Sequence, residues 1–161
     1  MWTQITLADL GHPEHADAIV NLLDAYARDE MGGGRPLSEH VQRNLVPELR
    51  KRHGVHVVLA FVGDEAAAMA ICMEGFSTFA CEPLLNVHDM VVLPGHRGRG
   101  LAGQLLAEVE RLARERGCCK VTLEVLEGNV SAQAAYRRAG FAGYQLDPRM
   151  GRALFWQKLL G

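Results

Sequence analysis

The sequence predicts an α/β domain on one mixed sheet, antiparallel first and parallel later, with helices on its faces. Three observations predict it. Strand-like apolar runs follow one another directly between residues 55 and 93, which calls for antiparallel pairing. From residue 86 onward the order becomes strand, helix, strand, which calls for a parallel neighbour. The 161 residues, 48% hydrophobic and 22% charged, fit one domain spanning 1–161 with enough apolar material for a core.

Each element follows from local pattern. "TQITLADL" reads as a short first strand. From Pro13 a helix is set by Ala16, Ile19, Val20, Leu23 and Ala27 at helical spacing. It stops in the glycine- and proline-rich loop "DEMGGGRP". Ser38 is a good N-cap for a second helix with the stripe Val41, Leu45 and Leu49, which Pro47 is expected to kink or split. "VHVVLAFV" is the next strand, "GDE" a hairpin turn, "AAAMAICMEGFSTF" a long strand, and "LLNVHDMVVL" another that ends at Pro94-Gly95. A clear helix follows, with Leu101, Leu105, Leu106, Val109, Leu112 and Ala113 on one side and Gly117 as its stop. "KVTLEV" is a strand, "NVSAQAAYRRAG" a short helix capped by Asn129, and "ALFWQKLL" a final strand. The expectation is a sheet of six to seven strands flanked by about four helices.

Charge and composition exclude several function classes. The net charge of −2 provides no basic field for nucleic acid or a membrane surface, so neither is expected as a partner. No apolar run reaches the ~18–20 residues of a membrane span. The first residues lack a positive segment followed by an apolar one, so no signal peptide is expected. The four cysteines, without a C-x-x-C, point to reduced thiols and a cytoplasmic protein. His12 and His15 share a helical face without further ligands, so no metal site is expected.

The segment "HRGRGLAG", residues 96–103, carries the chemistry. A strand ending in a glycine turn that opens a helix makes an anion site, because the first-turn N–H groups converge and the helix dipole adds positive charge. Arg97 and Arg99 can add charge-assisted bonds. Gly98-x-Gly100-x-x-Gly103 literally matches the dinucleotide fingerprint. Against that reading, only ~60 residues follow, and the preceding strand carries His88 and Asp89 where a first dinucleotide-binding strand is apolar throughout. A Walker A loop fails, since no Gly-Lys-Ser/Thr follows.

Arg97-Gly98-Arg99-Gly100-Leu101-Ala102 resembles the Arg/Gln-x-x-Gly-x-Gly/Ala signature of the GNAT superfamily of N-acetyltransferases. The resemblance extends to the strand–turn–helix–strand run "VHDMVVLPGHRGRGLAGQLLAEVERLARERGCCKVTLEV" and to "GNVSAQAAYRRAGF". It implies a GNAT fold and acetyl-CoA as co-substrate. Position by position, it implies that amides of Gly98, Gly100, Leu101, Ala102 and Gly103 hold the pyrophosphate beside Arg97 and Arg99. Backbone groups of Met90, Val91 and Val92 would pair with the pantetheine arm. Asn129, with Ala132 beside it, would contact the cofactor near the pantetheine, and Tyr136 would sit by the sulfur.

Acetyl transfer to an amine needs a neutral amine, a donor for the oxyanion, and a proton for the thiolate. A tyrosine, un-ionised at pH 7, suits the last task, and the resemblance assigns it to Tyr136 rather than to core packing. For the oxyanion a backbone N–H in the 90–92 strand is expected. The base is His88 or Asp89. Adjacent residues in a strand point to opposite faces, so one is expected to face the cleft and the other to support it. The chain is similar to the diamine and thialysine acetyltransferase branch, but carries His88 where that branch has glutamate. Within that resemblance Phe76, Ser77, Thr78 and Phe79 are expected to line the acceptor pocket, with Asp29 and Glu30 offering negative charge to an amine. The expected acceptor is a small-molecule amine such as a polyamine or an amino-acid-like amine. A protein N-terminus or lysine, or a non-catalytic acyl-CoA-binding role, stands as the alternative. A homodimer is expected because it is common in the branch the chain resembles, and Trp156 is assigned to core or dimer interface.

Overall fold

The structure, a computed structural model, describes residues 1–161. The elements in chain order are β1 (Thr3–Leu7), α1 (Pro13–Arg28), α2 (Glu39–Lys51), β2 (Val55–Val62), β3 (Glu65–Ser77), β4 (Glu82–Val92), α3 (Leu101–Glu115), β5 (Val121–Leu123) and α4 (Val130–Arg138). They form one five-stranded sheet in the order β1-β2-β3-β4-β5. The first three pairings are antiparallel and the last is parallel. No helix is long and apolar enough to cross a membrane.

Alternation along β2 sets the layers. Val57, Leu59 and Phe61 pack with Ile19 and Leu22 of α1 and with Val46 and Leu49 of α2. Val58, Ala60 and Val62 face the other way and pack with Leu105, Leu106 and Val109 of α3. The sheet is therefore buried on both faces, which explains why β2 reads as a continuous apolar run. Ala60, Ala67, Ala68 and Ala70 floor the α3 side, and these small residues leave room for the leucines of α3. Leu105, fully buried, contributes about 1.5–3 kcal/mol by that burial.

Three features differ from the sequence reading. Helix α2 runs unbroken from Glu39 to Lys51 with Pro47 inside it, so the proline does not split it. Ser38 caps it as expected, accepting from the Val41 N–H at 3.3 Å. The final strand over 153–160 is absent, and the sheet has five strands rather than six or seven. The reason lies in the segment's pattern: Leu154, Trp156 and Leu160 alternate with Phe155 and Leu159, so it is apolar on both faces and needs cover on both. Within the chain it finds none: Trp156 is 83% exposed, and Ala153 N–H to the Tyr144 carbonyl at 3.4 Å is the only backbone bond tying residues 152–161 to the rest. Strand β5 is short, and its ladder with β4 ends at Val87 and Leu123.

Candidate active site

The end of that ladder creates the site. Beyond Val87, β4 continues to Val92 paired only with β3, while the chain after Leu123 turns away into the loop before α4. The divergence opens a cleft of about 1860 Å³. Its walls are Val87–Val92 on one side and Leu123–Leu126, Asn129, Ala132 and Tyr136 on the other, with the glycine turn at its end.

The turn is built for an anion. Gly98 and Gly100 adopt φ of +75° and +78°, a conformation that favours glycine. Gly100 is the N-cap of α3 and supplies no side-chain bond to the first turn. The N–H groups of Leu101, Ala102 and Gly103 have no carbonyl four residues back to accept them, and all three residues line the cleft. A Cβ built at Gly98, Gly100 or Gly103 meets no atom within 4 Å, so the space in front of the turn is open to a ligand. The two arginines separate in role. Arg99 is exposed and lies outside the cleft lining. Arg97 lines the cleft and spends its guanidinium on protein: Nε donates to the Val92 carbonyl at 3.2 Å and Nη2 to Asp29 Oδ2 at 3.1 Å.

Strand β4 carries a bulge where the base was sought. Asp89 pairs with Ile71 and Val87 with Cys72, so His88 has no partner on β3. An extra residue inverts the alternation beyond it. Leu85 and Val87 accordingly face the α3 side, while Val91, four residues on from Val87, packs with the α1 side. His88, exposed, and Asp89, partly buried, both line the cleft, as do their neighbours from Val87 to Val92. Burial raises the Asp89 carboxyl above its ordinary value, with the neighbouring His88 pulling it partly back.

Tyr136 is buried within the α3-side core and reaches the cleft. Its ring meets Phe141 edge-on at 6.2 Å. Burial, and then proximity to Tyr26, pushes its phenol up. Tyr26 enters from α1, and burial followed by the negative charges of Asp89 and Asp29 raises it as well. Asn129 caps α4, its Oδ1 accepting from Ala132 N–H at 3.3 Å, and this leaves its amide NH2 available to the cleft.

On the α1 side the cleft is lined by Tyr26, Asp29, Glu30 and Met31, with His88 contributed by β4. Asp29 is held below its ordinary value, first by the Met31 N–H and then by Arg97. Its charge is thus matched within the protein. Glu30 is exposed and takes part in no ion pair. Phe76, Ser77, Thr78 and Phe79 lie outside the cleft lining, at the end of the β3–β4 hairpin, where Phe79 is fully exposed. The hairpin extends past the sheet edge, so strand length carries these residues away from the site. No group of three or more His, Cys, Asp or Glu side chains is arranged to hold a metal ion.

Sequence reasoning missed Tyr26, Met31 and the pairing of Arg97 with Asp29. Tyr26 had a signal: it continues the apolar face of Ile19 and Leu22 to the last turn of α1, one turn before the acidic loop.

Residues 17–141 match the Acetyltransferase (GNAT) family. The chain is 31% identical over 127 residues to the thialysine N-epsilon-acetyltransferase of Caenorhabditis elegans, covering 77% of this chain and 75% of that protein. It is 46% identical over 63 residues to the streptothricin acetyltransferase of Streptomyces lavendulae, a match spanning 39% of this chain and 33% of that protein. Among solved structures, a probable acetyltransferase superposes with a TM-score of 0.81 at 21% identity, over 98% of this chain and 99% of that one. AAC(6')-Iy in complex with the bisubstrate analog CoA-S-monomethyl-acetylneamine superposes with a TM-score of 0.75 at 20% identity, over 99% and 100% of the two chains. At these identities the structural likeness shows the fold.

Proposed function

The chain belongs to the GNAT family and is an acetyl-CoA-dependent N-acetyltransferase, and from that premise we propose that it acetylates the primary amine of a small molecule. The observation that carries this reading is the meeting, in one cleft, of an uncapped glycine turn, a stretch of β4 left without a neighbour on its β5 edge, a buried tyrosine and an unpaired carboxylate. The pyrophosphate of acetyl-CoA lies on the turn from Gly98 to Gly103, and the pantetheine runs along Met90–Val92 with Asn129 and Ala132 opposite. The thioester then sits between β4 and Tyr136. The amine enters past Tyr26, Glu30 and Met31, drawn by the Glu30 charge. Small amines also figure in the names of relatives, which are named for thialysine and streptothricin.

The chemistry runs by direct attack in a ternary complex. Asp89, or His88 through a water, takes a proton from the ammonium. Burial raises the Asp89 carboxyl, which makes its carboxylate a stronger base than an ordinary one. The neutral nitrogen attacks the thioester carbonyl, and a backbone N–H of Met90–Val92 meets the oxyanion. The carbon–sulfur bond breaks, the Tyr136 hydroxyl gives its proton to the thiolate, and the second proton lost by the nitrogen passes through water to the tyrosinate, which restores the phenol. A phenol pushed above its ordinary value of about 10 stays protonated for this task.

The segment after α4 supports a homodimer. Tyr144, Leu146, Leu154, Trp156 and Leu160 are each more than half exposed. Large apolar side chains exposed together along one segment mark a contact between proteins, and a second copy carries the same segment. Replacing Trp156 by aspartate is expected to yield monomers in sedimentation. All four cysteines are free thiols, in keeping with the cytoplasm.

A thermal-shift titration with acetyl-CoA, followed by thiol release against polyamines, amino acids and a peptide N-terminus, tests the reading. Stabilisation by mass action together with release driven by a small amine is expected. Release driven only by the peptide moves the acceptor to proteins. Stabilisation without any release contradicts catalysis, and no stabilisation contradicts the cofactor assignment.

A further inference from the structure

Arg97 stands in the glycine turn, yet its guanidinium is tied to residues of the opposite wall. Its Nη2 reaches Asp29 Oδ2 at 3.1 Å across 68 positions of sequence, and its Nε holds the Val92 carbonyl at 3.2 Å. Nη1 makes no bond to protein and stays available to an anion on the turn. Asp29 in turn organises the acceptor-side loop. Its Oδ1 accepts from Met31 N–H at 3.0 Å, and its carbonyl accepts from Gly32 N–H at 2.9 Å and Gly34 N–H at 3.0 Å. The loop has one further constraint: a Cβ at Gly32 would stand 1.9 Å from the Tyr26 carbonyl, so the chain packs against the end of α1 there. Three of the bonds that shape residues 30–34 thus converge on Asp29, beside Gly33 N–H to the Glu30 carbonyl at 3.4 Å and the Tyr26 hydroxyl to the Met31 carbonyl at 3.5 Å, and Asp29 is fastened to the turn by one arginine.

The pair is half-exposed, with the side chains 55% and 25% accessible, and pairs of that kind add little to overall stability. Its position is what distinguishes it, since it spans the two substrate regions of the cleft. We propose that Asp29 is a positioning residue that couples the two substrate sites. An anion on the turn engages Nη1 of Arg97 and fixes the guanidinium. The fixed guanidinium holds Asp29, and Asp29 holds the turn that presents Glu30 and Met31 to the amine. Coenzyme binding thereby orders the acceptor wall, and by linkage an occupied acceptor wall tightens coenzyme binding by the same factor. The proposal rests on the reading that the glycine turn holds the pyrophosphate of acetyl-CoA and that the 30–31 segment faces the amine.

Hydrogen exchange with free CoA as the probe separates the two. The variant is Asp29→Asn, which keeps an oxygen to accept the Met31 N–H and removes the ion pair. In the native protein, CoA is expected to slow exchange at Leu101–Gly103 and, several-fold, at Met31, Gly32 and Gly34. In Asp29→Asn the protection at Leu101–Gly103 is expected to persist and the slowing at residues 31–34 to vanish. Asp29→Ala, which also removes the cap, is expected to speed exchange at 31–34 with and without CoA. If CoA protects Leu101–Gly103 but leaves 31–34 unchanged in the native protein, or slows 31–34 equally in Asp29→Asn, the coupling is overturned and the cofactor reading stands. If CoA leaves Leu101–Gly103 unprotected, the cofactor reading falls and the coupling falls with it.

Discussion

The two ends of the cleft are built on different principles. At the glycine turn the binding groups are backbone N–H groups, set by two positive-φ glycines and an uncapped helix start within eight residues of sequence. At the proposed acceptor wall they are side chains, Tyr26, Glu30, Met31 and His88, brought from α1, the following loop and β4. A backbone site is specified by local conformation and tolerates side-chain change around it. A side-chain site depends on long-range contacts such as Arg97 with Asp29 and on the register of a distant strand. In the proposed function, cofactor recognition therefore falls to a short motif and acceptor choice to separated residues.

Substitutions break the comparison in a graded way. Asp89→Asn removes the proposed base between the two ends, and general-base losses run to about 100-fold or more in rate. The raised carboxyl of Asp89 must lose its proton to act, so activity of the native enzyme rises with pH through that pKa and falls away below it. A pH profile of kcat/KM should show this acid limb, and the limb should be lost in Asp89→Asn.

Gly103→Ala and Gly100→Ala probe the backbone end. Gly103 lies in the helix with open space around it, so alanine should raise stability by up to about 1 kcal/mol while crowding the anion. Acetyl-CoA KM should rise about tenfold, with the acceptor KM unchanged. Gly100 has φ of +78°, so alanine there costs about 1–2 kcal/mol in strain and should lower both melting temperature and acetyl-CoA affinity.

Glu30→Gln probes the side-chain end. An exposed charge contributes up to about 1 kcal/mol, so the acceptor KM should rise about fivefold and the acetyl-CoA KM should hold. Arg99→Ala should do least. Its side chain lies outside the cleft, so acetyl-CoA affinity should fall by less than about threefold, and only at low salt, where exposed charges are least screened.

The same contrast explains what was legible in the sequence. The turn at 96–103, the helix it opens and the cap at Asn129 were readable because glycine, cap and stripe act over a few residues. The mixed sheet with helices on its faces was readable from element order, whereas which β2 residues face which layer was not, because β2 is apolar on both faces. The bulge at His88 was not, because it is a mismatch between β4 and β3 rather than a property of β4 alone. Nor was the departure of Phe76–Phe79 from the cleft, which depends on how far the hairpin runs past the sheet edge. The end of the chain read as a strand because its local pattern is that of one. Pairing, which decides whether a strand forms, lies outside local pattern.

The central claim is that Tyr136 completes the chemistry between the two ends without belonging to either. Steady-state kinetics of Tyr136→Phe, with both substrates varied, test it most directly. Removing a hydroxyl from a buried ring that still packs on Phe141 should lower kcat by about 100-fold or more while leaving both KM values and the melting temperature near native. A Tyr136→Phe enzyme that turns over at the native rate would contradict the account.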